Sequence, residues 1–232
     1  MREFRWQILI AIGGLLLVVG LLLNRSPSQP ITGPEPVSGG AHVEGLIGHL
    51  VRLNPLLDFN NQVDADVDRL LYRGLVRFDS RGTPIPDLAE SLSISADTTL
   101  VTVSLRQDAT WHDGQPVEAA DVVYTFSKLK DDGYPGPSDL HDFWQDIKIV
   151  LLDEHTVQFQ LPEPYAPFID FLSIGLLPDH LLRGVDAVDL ADHPFNLEPV
   201  GTGPFQFDRF LVDGDQITGV SLKSNPEFYG QE

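Results

Sequence analysis

The chain predicts a mixed α/β sheet fold in which paired strands are interleaved with isolated helices, and three observations predict it. Val101, Val103 and Leu105 alternate with Thr102 and Ser104, as a half-buried strand requires, and Val157, Phe159 and Leu161 alternate with Gln158 and Gln160. Between these two segments, Val122, Phe126 and Leu129 recur at the spacing of one helix face. Strands come in pairs joined by turns rather than in strict strand–helix–strand order, which argues against a wholly parallel sheet.

Taken in order, the chain begins with Arg2 and Arg5 ahead of an apolar run from Ile8 to Leu23, closed by Asn24 and Arg25. That is an export pattern, near the lower length limit of a spanning helix. Residues 1–25 read as a membrane anchor or a cleaved signal segment; small residues in an A-x-A arrangement are missing after Leu23, which favours an uncleaved transmembrane anchor, its membrane part about residues 6–23. The positive-inside rule puts everything after Arg25 on the extracytoplasmic side. Residues 26–41 are rich in proline, glycine and serine and read as a semi-extended tether.

Globular sequence is expected from His42. Val63, Val67, Leu70, Leu71 and Leu75 share a helix face, with Asp64 and Asp66 suited to its N-terminus. Val76 to Phe78 precedes a turn at Asp79 to Gly82, and Pro84 to Leu92 follows. Ser91 to Ser95 and Leu100 to Leu105 flank the turn Ala96-Asp97-Thr98 as a hairpin. A helix is predicted from about Pro116 to Leu129, and a second hairpin from Ile147 to Leu161 turns at Asp153-Glu154-His155. Proline-opened short helices are predicted at 167–174 and 178–182, and strands at 205–207 and 217–222.

Composition narrows the function. With 34 acidic against 15 basic residues, the net charge is −19, which disfavours nucleic acid and anionic lipid surfaces. The absence of cysteine removes disulfides, thiolate metal sites and catalytic thiols. No G-x-S-x-G elbow or H-E-x-x-H pair occurs, and nothing selects a carboxylate pair, so no enzyme, no catalytic residue and no cofactor is expected. Gly201-Thr202-Gly203 lacks the lysine and serine of a phosphate loop and reads as a tight turn. Trp111-His112-Asp113-Gly114 offers only two adjacent ligands and reads as a structural turn. Asp139, His141 and Asp142 could share a cation, yet no metal site is expected there.

Several segments, in order and spacing, resemble the family 5 extracellular solute-binding proteins, which serve peptide and nickel-complex transport. Leu53-Asn54-Pro55 and Leu70 to Val76 are similar to that family's LNP and LYEGL segments, and Pro86 to Ser91 to its PDLAES. The most distinctive block joins Leu105-Arg106 to Trp111-His112-Asp113-Gly114-Gln115-Pro116-Val117, Asp121-Val122-Val123-Tyr124 and Thr125-Phe126. Gly201 to Phe205 and Asn225 to Tyr229 complete the series, while Leu92 and Glu118 depart from the family's tryptophan and threonine.

The resemblance implies a bilobal clamp of the type II periplasmic-binding-protein class, here lacking most of the second lobe, with no catalysis. Residues 42–74 and 163–232 would form the first lobe and 75–162 an accessory subdomain. The implied role is the solute-binding component of an ABC importer, passing peptides or similar small solutes to a membrane permease. The alternative is a truncated or vestigial anchored structural protein without independent binding. The resemblance also implies that an extended segment at Asn60, Asn61 and Gln62 runs along the ligand and that the loop carrying Tyr134 lines it. Phe143, with Trp144, would line or fill the same region.

Overall fold

The computed structural model describes Leu15 and residues 39–230. The expected anchor, apart from Leu15, and most of the tether lie outside these residues. Among the described residues no helix is long and apolar enough to cross a membrane. The chain divides into two units, Met1–Gly45 and Leu46–Glu232. In the first, residues 39–45 are exposed and without regular structure; the elements below belong to the second.

Helix α1 spans Gln62–Leu71, opened by Asn61, whose side chain accepts a hydrogen bond from the Val63 N–H. Val63, Val67 and Leu71 face inward as their spacing predicts, while Leu70 is 40% exposed. The helix stops four residues before the predicted end at Leu75. Tyr72 is already extended, and a Cβ on Gly74 would lie 2.6 Å from the Ser173 backbone. Leu75 and Val76 instead donate to the Leu172 carbonyl. Strands β1 (Val76–Phe78) and β2 (Pro84–Pro86) form a short ribbon whose turn is tied by the Asp79 carboxylate, which accepts from the Arg81 and Thr83 amides.

Strands β3 (Ala89–Ile94), β4 (Leu100–Leu105), β5 (Lys148–Asp153) and β6 (Thr156–Gln160) build one sheet in the order β3-β4-β6-β5. Both predicted hairpins are present, with the alternation intact. Val101, Val103, Leu105, Val157 and Phe159 are buried, and Thr102, Ser104, Gln158 and Gln160 lie on the more open face. Every strand pair among the described residues is antiparallel. The expected mixture of strand directions is therefore not found here. The reason is connectivity: β3–β4 and β5–β6 are hairpins, and β4 and β6 meet after a helical excursion that re-enters from the opposite end.

That excursion supplies the core. Helix α2 (Ala119–Lys128) and α3 (Ser138–Gln145) bring Phe126 and Trp144 together with ring centroids 4.6 Å apart, and Phe159 meets Phe126 edge-on at 5.5 Å. Phe168, from the single-turn helix α4 (Phe168–Phe171), closes the group 5.4 Å from Phe159. Truncating any of these fully buried rings to alanine would cost about 3–5 kcal/mol. A short helix α5 (Asp179–Leu182) and two 3-10 turns, Ala187–Asp192 and Pro194–Leu197, lead to the hairpin of β7 (Phe205–Asp213) and β8 (Gln216–Ser224).

Candidate functional site

The turn before α1 is fastened at several points. Asn54 donates from its side chain to Asn196 Oδ1 (3.0 Å) and accepts the Leu56 N–H, while the Tyr72 hydroxyl donates to the Leu53 carbonyl (3.1 Å). These buried bonds hold the Leu53-Asn54-Pro55 segment rigid. They leave Phe59, 39% exposed, and Asn60 projecting from the next turn. Asn60 to Gln62 are not one extended strand: Asn60 lies in a turn, Asn61 caps α1 and Gln62 begins it. Capping is what the Asn61 side chain does best at this position, and its amide also donates to the His49 carbonyl (2.9 Å). The Gln62 amide donates to Asp66 one helical turn on (2.6 Å).

The Tyr134 hydroxyl donates to the Leu56 carbonyl at 2.9 Å, and its ring lies over Gly136, where a Cβ would fall 2.1 Å from the ring. Glycine at 136 thus lets the 131–136 loop fold onto the 54–57 turn. Burial, with help from Asp58, pushes the Tyr134 hydroxyl far above the ordinary tyrosine range, so it stays a donor. The sequence candidates Asn60, Asn61, Gln62 and Tyr134 are thereby brought to one neighbourhood around Leu56 to Asp58. Phe143 sits in a separate aromatic patch, stacked on Phe171 (4.5 Å) and 5.2 Å from Tyr165. Trp144 is fully buried beneath it.

Near these residues lie three carboxylates, of which the sequence analysis placed only Asp64, as a favourable charge at the helix N-terminus, and not its burial. Asp64 and Asp68 sit one turn apart on the buried face of α1, 1% and 2% exposed, and Asp58 lies in the preceding turn. Asp64 accepts from the Val51 (2.8 Å) and Arg52 (3.2 Å) amides, which oppose the upward push of burial on its pKa. Neither oxygen of Asp68 makes a hydrogen bond of ordinary geometry, although the Asn54 backbone amide faces it. Burial first, then the charges of Asp58 and Asp64, raise Asp68 to about 9. Asp58 is raised to about 6, again mainly by burial. The available signal was Asp64 and Asp68 at i and i+4, in phase with Val63 and Val67 on the face expected to be apolar.

The distinctive motif residues prove to be stitches between segments. His112 accepts the Gly201 N–H at Nδ1 (3.1 Å) and donates from Nε2 to the Gly203 carbonyl (3.1 Å). Gly201 and Gly203 are glycines because a Cβ on either would lie 1.9 Å or 2.3 Å from carbonyl oxygens at the end of α1. Asp121 gathers the Trp111 indole N–H (3.1 Å) and the amides of Glu118 (2.9 Å) and Asp179 (2.8 Å). His141 lies beside Asp142 and Gln145. Among the described residues, no three acidic or histidine side chains are grouped to hold a metal ion.

The described residues thus form a helix-backed antiparallel sheet and a rigid turn from which Phe59 and Asn60 project. Comparison with known proteins makes this specific. Residues 83–232 match the family described as bacterial extracellular solute-binding proteins, family 5 Middle, and the chain belongs to that family. It is 28% identical over 199 residues to the oligopeptide-binding protein AppA of Bacillus subtilis, covering 84% of this chain and 35% of that protein. To di/tripeptide-binding protein 2 of Pseudomonas aeruginosa it is 32% identical over 181 residues, covering 68% and 33% respectively.

Among solved structures, AppA of Bacillus subtilis in complex with a nonapeptide superposes with a TM-score of 0.71 at 26% identity, over 79% of this chain and 36% of that one. NikZ from Campylobacter jejuni in complex with Ni(L-His) gives 0.67 at 33% identity, over 80% and 35%. The chain spans about a quarter to a third of the length of the curated relatives it matches.

Proposed function

We propose that this chain is the solute-contacting first-lobe portion of the binding component of an ABC importer, taking peptides or similar small solutes outside the cytoplasm. Family membership together with the likeness to a nonapeptide-bound AppA carries this reading. Residues 42–74 and 163–232 serve as the first lobe and 75–162 as its accessory subdomain. Asn60, Asn61, Gln62 and Tyr134 border the solute, with Asn60 the free amide among them, and Phe143 offers an aromatic wall. No chemistry is performed on the solute. Residues about 6–23 tether the domain to the membrane beside the permease that receives the solute.

The purified 232-residue chain, incubated with a mixed peptide library and separated from free peptide by gel filtration, should retain a subset of peptides identifiable by mass spectrometry. Substituting Asn60 by alanine should lower that retention while leaving the thermal unfolding midpoint unchanged. A retained pool identical to that of an unrelated acidic protein would defeat the reading.

A further inference from the structure

The four-stranded sheet ends on one side in β5, whose outer edge pairs with no strand. An open row of N–H and C=O groups templates further pairing, and native edges are usually guarded by proline, repeated charge, a bulge or a covering segment. β5 reads Lys148-Ile149-Val150-Leu151-Leu152-Asp153, with no proline and an unbroken apolar run between its two charged ends. Leu151 is 49% and Leu152 51% exposed. Among the described residues, no backbone bond outside the sheet reaches residues 148–153.

The one irregularity of the strand gives this edge a pattern. Cross-strand partners share a face of a sheet. Lys148 stands opposite Gln160, Val150 opposite Gln158 and Asp153 opposite Thr156, all on the more open face. Ile149 and Leu151 oppose the buried Phe159 and Val157. The register shift between Leu151 and Asp153 is what returns Asp153 to the face of Lys148. The strand is thereby complementary to its own reverse. Turned about a two-fold axis through Val150, Lys148 of each copy faces Asp153 of the other, Val150 faces Val150, and Ile149 faces the Leu151-Leu152 pair.

We infer that β5 is the seam of a two-fold dimer, in which two copies of this chain join their sheets edge to edge into one antiparallel sheet. An isologous contact requires a surface complementary to itself, and this edge meets that in both charge and apolar pattern. Charge favours a second copy as the occupant. The strand carries one cation and one anion in a chain of net charge −19, so here two acidic molecules can meet without setting carboxylate against carboxylate. Lys148 forms no ion pair among the described residues and is free for Asp153 of the second copy. Asp153 accepts the His155 amide at Oδ1 (2.8 Å), and a carboxylate has acceptor sites to spare for an ammonium.

A six-residue seam is short beside a standard interface, so the dimer should exchange rapidly and covalent trapping reads it directly. The chain has no cysteine, so a single introduced thiol can form a protein disulfide only between two copies. Val150→Cys puts that thiol on the axis, where antiparallel partners stand about 4.5–5.5 Å apart between Cα atoms, within disulfide range. On the full chain in detergent, about 0.15 M salt screens the general acidity. There Val150→Cys should cross-link at least about tenfold faster than Ser93→Cys, an exposed position on the opposite edge strand β3. Adding Lys148→Glu, which sets carboxylates face to face at both ends of the seam, should slow the Val150→Cys cross-link about threefold or more and leave the unfolding midpoint unchanged. Equal rates for Val150→Cys and Ser93→Cys overturn the inference, as does a rate that Lys148→Glu leaves unaltered. Protection of the β5 amides from deuterium exchange by a mixed peptide library, with no cross-link, would make the edge a peptide site and overturn it likewise.

Discussion

His112 and Asp68 respond to pH in opposite senses, each for a reason visible in its surroundings. His112 accepts a hydrogen bond at Nδ1 and is largely buried, so burial holds its pKa below the ordinary value. The unfolded chain takes up this proton first, and His112 therefore subtracts stability as pH falls below about 6.5. His112→Ala should cost about 1–3 kcal/mol at pH 7.5, and the gap to the parent should narrow at pH 5 in urea titrations. Asp68 is raised to about 9, so the folded state keeps a proton that the unfolded chain loses near pH 4. Its contribution is full below that pH and is lost as pH climbs toward 9. Asp68→Asn, which keeps the shape of the protonated acid, should melt higher than the parent at pH 8 and alongside it at pH 4. A variant that gains nothing at pH 8 would show that Asp68 is ionised or paired after all. The role of His112 was not legible in the sequence, and that of Asp68 had only its phase with Val63 and Val67 to signal it. A histidine in a glycine turn gives no hint that two glycines 89 and 91 residues away will clasp it, and a carboxylate on an apolar stripe is read by default as solvent-facing.

At the scale of elements, α2 depends on one side chain. Asp121 sits at the third helical position, accepts the amide of the capping residue Glu118, and also receives Trp111 and the start of α5. Asp121→Ala would orphan three donors at once, the buried Trp111 indole and the part-buried amides of Glu118 and Asp179, and should lower stability by about 2–3 kcal/mol, whereas Trp111→Phe, which removes a single donor, should cost less on this count. Chemical denaturation of both variants checks the ranking, and equal losses would mean that packing of the indole outweighs the network. Hairpins such as β3–β4 and β5–β6 were readable because alternation and turn residues are local signals. The pairing of β4 with β6 was not, since Val103 and Val157 meet across more than fifty residues and no short-range pattern records it. Helix α3 was missed because its apolar stripe, Leu140, Phe143 and Trp144, is only one turn long and is interrupted by two aspartates and a histidine within Ser138–Gln145. The β7–β8 strands were visible as fragments, but their nine-residue lengths are set by bulges at Phe207/Arg209 and Leu211/Val212.

Taken whole, the molecule is a scaffold whose family motifs hold distant segments together, and the 58–62 turn and the Tyr134 loop are the surface proposed to meet the solute. Trp111, His112, Asp121, Gly201 and Gly203 fix the fold, and Phe59 and Asn60 are exposed in the turn before α1. The motifs made the family legible in the sequence, whereas the burial of Asp64 and Asp68 was not, because those residues lie between Pro55 and Leu70, in a segment that the motifs do not cover. Hydrogen–deuterium exchange of the 232-residue chain, with and without a saturating mixture of short peptides, addresses the central claim most directly. The account predicts slowed exchange confined to residues 54–62 and 131–136, with the β3–β6 sheet unchanged. Unaltered exchange in both segments, or protection only at the open face of that sheet, would contradict it.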